Sequence, residues 1–186
     1  MIVADGSGSA LGSTSNVTIN SGGTFLLGAS DQVHDTATMT LNGGTFAKGN
    51  FSEGSASALG VGALTLTASG SKIDFGTGTV GVLTFDSFTP GSFTLIIDNW
   101  SGTANTVGSS STDRLIFASD QSANLSSFSF AGFASGGTEF DLGNGYWEVT
   151  PVSVVPEPST WVTAVFAFLA VGVHALQHRK RANRLP

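Results

Sequence analysis

Two stretches near the start of this chain share one pattern, and that pattern leaves few folds open. Val17-Thr18-Ile19-Asn20-Ser21-Gly22-Gly23-Thr24-Phe25 is echoed by Met39-Thr40-Leu41-Asn42-Gly43-Gly44-Thr45-Phe46, with the Gly-Gly-Thr-Phe units 21 residues apart. Each reads as an alternating strand, an Asn/Gly turn, and a second strand opening on Thr-Phe. Leu64-Thr65-Leu66-Thr67-Ala68-Ser69-Gly70-Ser71 is a looser third copy whose spacing has drifted. A period of about twenty residues with one or two short strands per unit predicts an all-β body wound as a β-solenoid, a parallel β-helix-like stack in which each coil buries its apolar face on the next. Val17, Ile19, Phe25, Met39, Leu41 and Phe46 would point inward, Thr18 and Thr40 outward. Glycines would serve the corners and the close approach of neighbouring coils. The same alternation also suits an antiparallel β-sandwich with hairpins at the Asn/Gly turns, and strand pattern alone does not separate the two.

Residues 80–150 read differently. Leu83-Thr84-Phe85, Phe93-Thr94-Leu95-Ile96-Ile97, Arg114-Leu115-Ile116-Phe117 and Tyr146-Trp147-Glu148-Val149 are short hydrophobic strands, separated by Asp98-Asn99-Trp100-Ser101-Gly102, Ser109-Ser110-Ser111 and Gly143-Asn144-Gly145. Terminal coils of a solenoid are atypical because they close its open end. The expected organisation is therefore repeat coils over 1–79, terminal coils with capping strands over 80–150, and a linker at 151–155. Trp100 and Trp147 are expected to pack within the cap rather than to stack on sugar rings, given the area an aromatic side chain gains by burial.

Composition narrows the chemistry. The chain has no cysteine, which excludes a disulfide framework, thiolate catalysis and cysteine metal sites. Residues 1–155 hold three basic residues (Lys48, Lys72, Arg114) and twelve acids, a net charge of −9 that excludes nucleic acid as a partner. His34 is the only histidine of this body, and Asp35 merely adjoins it. A serine–histidine–aspartate triad lacks its other signals there. Glu139 and Asp141, two apart on a strand, read as an acidic edge that discourages sheet aggregation rather than as a glycosidase pair. Asp141-Leu142-Gly143-Asn144-Gly145 reads as a turn rather than a calcium loop. The expectation is a non-enzyme with no metal and no cofactor.

The chain ends in three consecutive parts. Pro156-Glu157-Pro158-Ser159-Thr160 precedes an uncharged stretch over 161–177, of whose 17 residues 13 are apolar. At the α-helical rise the stretch spans about 26 Å, close to the hydrocarbon thickness of a bilayer. It reads as a single transmembrane α-helix with Trp161 as interfacial anchor and Phe166, Phe168 and Leu169 facing lipid. Arg179, Lys180, Arg181 and Arg184 follow within 178–186, with no acid among them. A positive flank stays cytoplasmic, so the acidic body is expected on the far side of the membrane. His174 and His178, four apart, are too few to hold a metal and read as a membrane-interface pair.

The proline–glutamate–proline strip, the apolar helix and the arginine-rich end together resemble the PEP-CTERM sorting domain over 156–186. That resemblance implies recognition of Pro156, Glu157, Pro158 and Ser159 by an exosortase-type membrane protease. It further implies a cell-envelope location in a Gram-negative bacterium: single-pass in the lipid bilayer before processing, then at the cell surface or in the extracellular matrix. Two prolines lacking backbone donors keep such a strip extended, as threading into a protease requires. Residues 10–75 resemble the autotransporter-associated β-strand repeat, although no membrane β-barrel is read after them. The first six residues carry neither a basic n-region nor an apolar h-region, so an export signal is expected upstream of Met1. The functional expectation is a structural or adhesive surface protein linked to exopolysaccharide. The alternatives are an envelope enzyme acting on polysaccharide through an upstream catalytic part, and an ice- or crystal-binding adhesin. The drifting repeat argues against a regular threonine array of the kind the last of these needs.

Overall fold

The structure, a computed structural model, describes residues 2–3 and 10–154. The chain divides into two units after Ser153, and the sheets and core belong to the first, Met1–Ser153. The sorting motif, the stretch 161–177 and the basic tail lie outside the described residues. Among the described residues no helix is long and apolar enough to cross a membrane. The single helical element among them is a 3₁₀ turn at Ser122–Ser127.

The described chain is all-β and winds through about three turns of a β-solenoid-like coil. One side is a four-stranded parallel sheet of β2 (Asn16–Asn20), β4 (Thr38–Asn42), β6 (Leu64–Ala68) and β9 (Phe88–Thr89). A second side stacks β1 (Ile2–Val3), β3 (Thr24–Leu27), β5 (Thr45–Ala47), β7 (Lys72–Asp74), β10 (Leu95–Asp98) and β12 (Phe128–Phe130), again all parallel. The third side is looser: single bridges join Leu11 to Val33 and Glu53 to Leu83, and then β8 (Val82–Phe85) pairs in parallel with β11 (Arg114–Phe117).

The antiparallel sandwich is therefore not formed, for a local reason. A two-residue hairpin of the favoured type needs φ > 0 at both central positions. At the first turn Gly22 has φ +76°, while Ser21 is not in that region. The chain makes a corner instead, sending β2 and β3 to different sheets. At Gly44 the coils come so close that a Cβ would overlap Ile19 Cγ2 and lie 2.6 Å from the Ile19 carbonyl oxygen.

Ile19, Phe25, Met39, Leu41 and Phe46 are buried as the alternation predicts, and Val17 is half-buried. Rings form a connected column along the stack: Phe25–Phe46 at 5.5 Å, Phe46–Phe85 at 6.2 Å, Phe85–Phe117 at 5.9 Å and Phe117–Phe128 at 5.9 Å between centroids. Such edge-on and stacked pairs add to the gain from burial. One strand begins later than expected. Phe93 and Thr94 lie outside β10 because the Phe93 N–H donates to the Pro90 carbonyl in a turn.

The far end is closed by a hairpin. β13 (Ala134–Asp141) runs antiparallel to β12, and β14 (Trp147–Val152) runs antiparallel to both β13 and β11, so the hairpin joins the second side to the third. Trp100 is buried there against Phe130 and Phe133, at 5.6 and 5.8 Å. Trp147 is only half-buried.

Candidate functional site

The four-stranded side places one threonine per coil in a single row. Register pairs Thr18 with Thr40, Thr40 with Thr65 and Thr65 with Thr89. Adjacent members are separated by the interstrand spacing of about 4.8 Å. Their sequence separations differ, yet the row holds, because the surplus is taken up outside it: much of it on the looser third side, and part in a register shift that pairs Asn42 with Ala68 just beyond the row. The drift noted in the sequence therefore does not break the array. Beside this row runs an amide ladder: Asn42 Nδ2 donates to Asn20 Oδ1 at 3.0 Å, and Thr67 Oγ1 donates to Asn42 Oδ1 at 3.2 Å. None of β2, β4, β6 and β9 contains a charged residue. The second side differs, carrying the Lys72–Asp98 pair at 2.9 Å and an Asn99–Asp74 bond at 2.7 Å. The threonine side is thus an uncharged grid of hydroxyls and amides, suited to hydrogen-bonding a neutral, hydroxyl-rich partner.

The sequence-derived catalytic candidates do not assemble. His34 and Asp35 are exposed, and the His34 Nδ1 engages Thr36, 2.9 Å from its hydroxyl. Glu139 is half-buried on β13 and accepts the Gln121 N–H; burial, with Asp120 and Asp141 nearby, pushes its carboxyl above the usual range. Asp141 accepts the Gly143 N–H at 2.7 Å, the ordinary chemistry of an Asx turn. Among the described residues no group of three or more histidine, cysteine or carboxylate side chains could hold a metal. Pro156, Glu157, Pro158, Ser159, Trp161, Phe166, Phe168, Leu169, Arg179, Lys180, Arg181 and Arg184 all lie outside the described residues, as do His174 and His178.

Sequence reasoning missed a set of interior charges. Lys48 is fully buried, 3.4 Å from Asp113 Oδ1, and donates to the carbonyls of Gly49 and Thr79 at 3.0 and 2.6 Å. Asp113 accepts the Gly81 N–H, the Ser101 N–H and the Ser101 hydroxyl. Arg114 donates through Nε and Nη2 to Glu148 Oε2, whose second oxygen accepts the Gly108 N–H. Glu53 is fully buried and accepts the N–H groups of Gln32 and Val33. Burial is the main cause that pushes its carboxyl up to about 8, with Asp31 and Asp35 contributing and the backbone donors opposing. One signal was present in the sequence: a strongly acidic body with three cations has reason to pair each of them with an acid, whether in the interior or at the surface. Lys48, Lys72 and Arg114 each do pair with one.

A scan against protein-family models, a search of curated proteins and a search of solved structures each returned no match to this chain.

Proposed function

We propose that this chain is an exported, non-catalytic surface protein of a bacterial envelope, whose solenoid contacts neutral exopolysaccharide through the threonine side. In this reading the stretch 161–177 holds the chain in the bilayer until an exosortase-type protease acts at Pro156-Glu157-Pro158. The observation that carries the adhesive part is the uncharged row Thr18, Thr40, Thr65 and Thr89, flanked by the Asn20–Asn42 ladder. Repeating sugars offer hydroxyl groups along a chain, and a repeating row of side-chain hydroxyls and amides can meet them without desolvating a charge. The three-part C-terminal sequence supports the sorting part.

Two measurements test the two parts separately. Intact mass of the envelope-associated protein is expected to show loss of the basic end in the wild type and its retention when Pro156, Glu157 and Pro158 are all replaced by alanine. Equal masses would overturn the sorting reading. In gels cast with the exopolysaccharide of the producing cell, Thr40→Lys/Thr65→Lys is expected to weaken retention roughly tenfold, the equivalent of one or two lost hydrogen bonds. Unchanged retention removes the threonine side from the binding surface.

A second reading gains from the same row. Ice or another crystalline surface also demands hydroxyls in register, and the parallel pairing supplies them across four strands. Inhibition of ice recrystallisation by the wild type, lost in the same double variant, favours this reading over the polysaccharide one.

A further inference from the structure

Only two asparagines in the chain precede glycine, Asn42 and Asn144. Glycine has no side chain to keep its own nitrogen away from the preceding side-chain amide, so that nitrogen can attack the amide carbon wherever the backbone has freedom to turn. The fold treats the two sites in opposite ways. Asn42 is held at every point where the attack needs movement. It ends β4 and pairs with Asn20 on one side and Ala68 on the other. Its Nδ2 donates to Asn20 Oδ1, and its Oδ1 accepts the Thr67 hydroxyl. The attacking atom is engaged as well, since the Gly43 N–H donates to Ser71 Oγ at 3.1 Å. The corner is also packed: a Cβ on Gly43 would meet the Ser69 carbonyl oxygen at 3.0 Å and Ser21 Cβ at 3.3 Å.

Asn144 stands at the tip of the capping hairpin, in the Gly143-Asn144-Gly145 loop between β13 and β14. The Leu142 N–H closes that loop on the Tyr146 carbonyl at 2.9 Å. Gly143, Asn144 and Gly145 are all exposed. A Cβ on Gly143 or Gly145 would meet nothing within 4 Å, so the tip has room to turn. The Gly145 N–H donates to no acceptor among the described residues, unlike that of Gly43. One hydrogen bond restrains the asparagine side chain: its Nδ2 donates to the Ala56 carbonyl at 3.0 Å, across 88 positions of the sequence. That bond ties the tip of the cap to the loop around Ala56.

We propose that Asn144 is a self-modification site, converting to aspartate and isoaspartate without an enzyme and thereby untying the capping hairpin from the loop around Ala56. The Gly145 nitrogen forms a bond to Asn144 Cγ as the Cγ–Nδ2 bond breaks. The Gly145 proton and the Asn144 NH₂ group leave together as ammonia, and a cyclic imide joins the two residues. Water then opens the ring. Breaking the bond from nitrogen to Cγ gives aspartate; breaking the bond from nitrogen to the main-chain carbonyl carbon leaves the chain running through the former side chain, as isoaspartate. In both products the donor that reached Ala56 is gone. In aspartate a carboxylate faces that carbonyl, acceptor against acceptor, so the tie is lost and not merely weakened. Asn42 keeps its amide while the coils are folded, and the ladder beside the threonine row persists with it.

The test keeps the full 186-residue chain in detergent and neutral buffer for weeks, folded in one arm and in urea in the other. Peptide masses and an isoaspartate assay follow both sites. In the folded arm Asn144 is expected to convert about tenfold faster than Asn42 or more, and in urea the two rates are expected to agree within a factor of about three, because structure is what separates them. Asn144→Gln, whose longer side chain closes such a ring poorly, is expected to keep its amide. Asn144→Asp reproduces one product. In it, amide exchange at Leu142 and Ser55, which donate to Tyr146 and Ala58, is expected to rise about two- to tenfold, the worth of one hydrogen bond, while Met39 is unchanged. Equal rates at the two sites in the folded chain, an intact Asn144 there, or the same disparity in urea overturns the self-modification. Unchanged exchange at Leu142 and Ser55 in Asn144→Asp overturns the untying.

Discussion

Replacing Lys48 with methionine is expected to lower the unfolding free energy by about 3–5 kcal/mol, because it leaves a buried carboxylate without its cation. The Lys48 ammonium donates to two carbonyls, lies 3.4 Å from Asp113 Oδ1 and is fully buried. The residues it joins are far apart in sequence: Lys48 follows β5, Thr79 precedes β8 and Asp113 precedes β11. Losing it loosens three successive passes of the chain together. The pair itself is no large source of stability, since taking both charges out of water costs nearly what their attraction returns. Partial recovery in Lys48→Met/Asp113→Asn is therefore expected, and a double-mutant cycle on unfolding free energies measures it. For a chain of this size the single variant should lose roughly 6–20 °C in Tm. A loss confined to about one degree would mean that Asp113 reaches water, or its three other donors suffice, once the lysine is gone.

How far the sequence carried this fold depends on the side of the solenoid. The two copies around Gly-Gly-Thr-Phe have strict alternation and glycine corners, so β2 to β5 and their inward Ile19, Phe25, Met39, Leu41 and Phe46 are legible from the residues alone, while their parallel stacking was one of two arrangements that the alternation allowed. The third side is not legible. Its passes are held by isolated bridges and by single polar side chains such as Glu53, which leave no periodicity to read. β13 was legible only at its end: Glu139 and Asp141 were read on a strand, but Gly136-Gly137 carries no strand pattern, and two neighbouring strands order the whole of what is the longest strand described. The threonine row was half legible. Thr18 and Thr40 were assigned outward, but unequal spacing argued against a register with Thr65. Spacing along the chain is a poor guide to spacing in space once a loose side can absorb the surplus. The chain terminus is the reverse case, carried by its sequence alone.

Stability is expected to fall with rising pH by about 1.4 kcal/mol per unit between roughly pH 4.5 and 8, through Glu53. Below pH 4.5 its carboxyl is protonated in both the folded and the unfolded chain, and the group contributes no slope. Between 4.5 and 8 the unfolded chain has released the proton while the folded chain retains it, so each step up in pH favours unfolding. Above about 8 both states are ionised, and the folded state then carries a charge with no solvent access. Across the whole window the loss is on the order of 5 kcal/mol, comparable with the total stability of many domains. Glu139, also raised, adds a slope of the same sign, while Asp120, lowered by its bonds to Ser122, acts in the opposite sense at lower pH. Glu53→Gln separates these contributions. It keeps the shape and an acceptor for the Gln32 and Val33 N–H groups but cannot ionise. Urea titrations of wild type and Glu53→Gln at about pH 5, 6.5 and 8.5 should give a difference that grows with pH in favour of the variant. A constant difference would show that Glu53 ionises at an ordinary pKa, with water reaching the interior beside Val33. The same coil that is firm in acidic surroundings therefore becomes the weak point of the stack in alkaline ones.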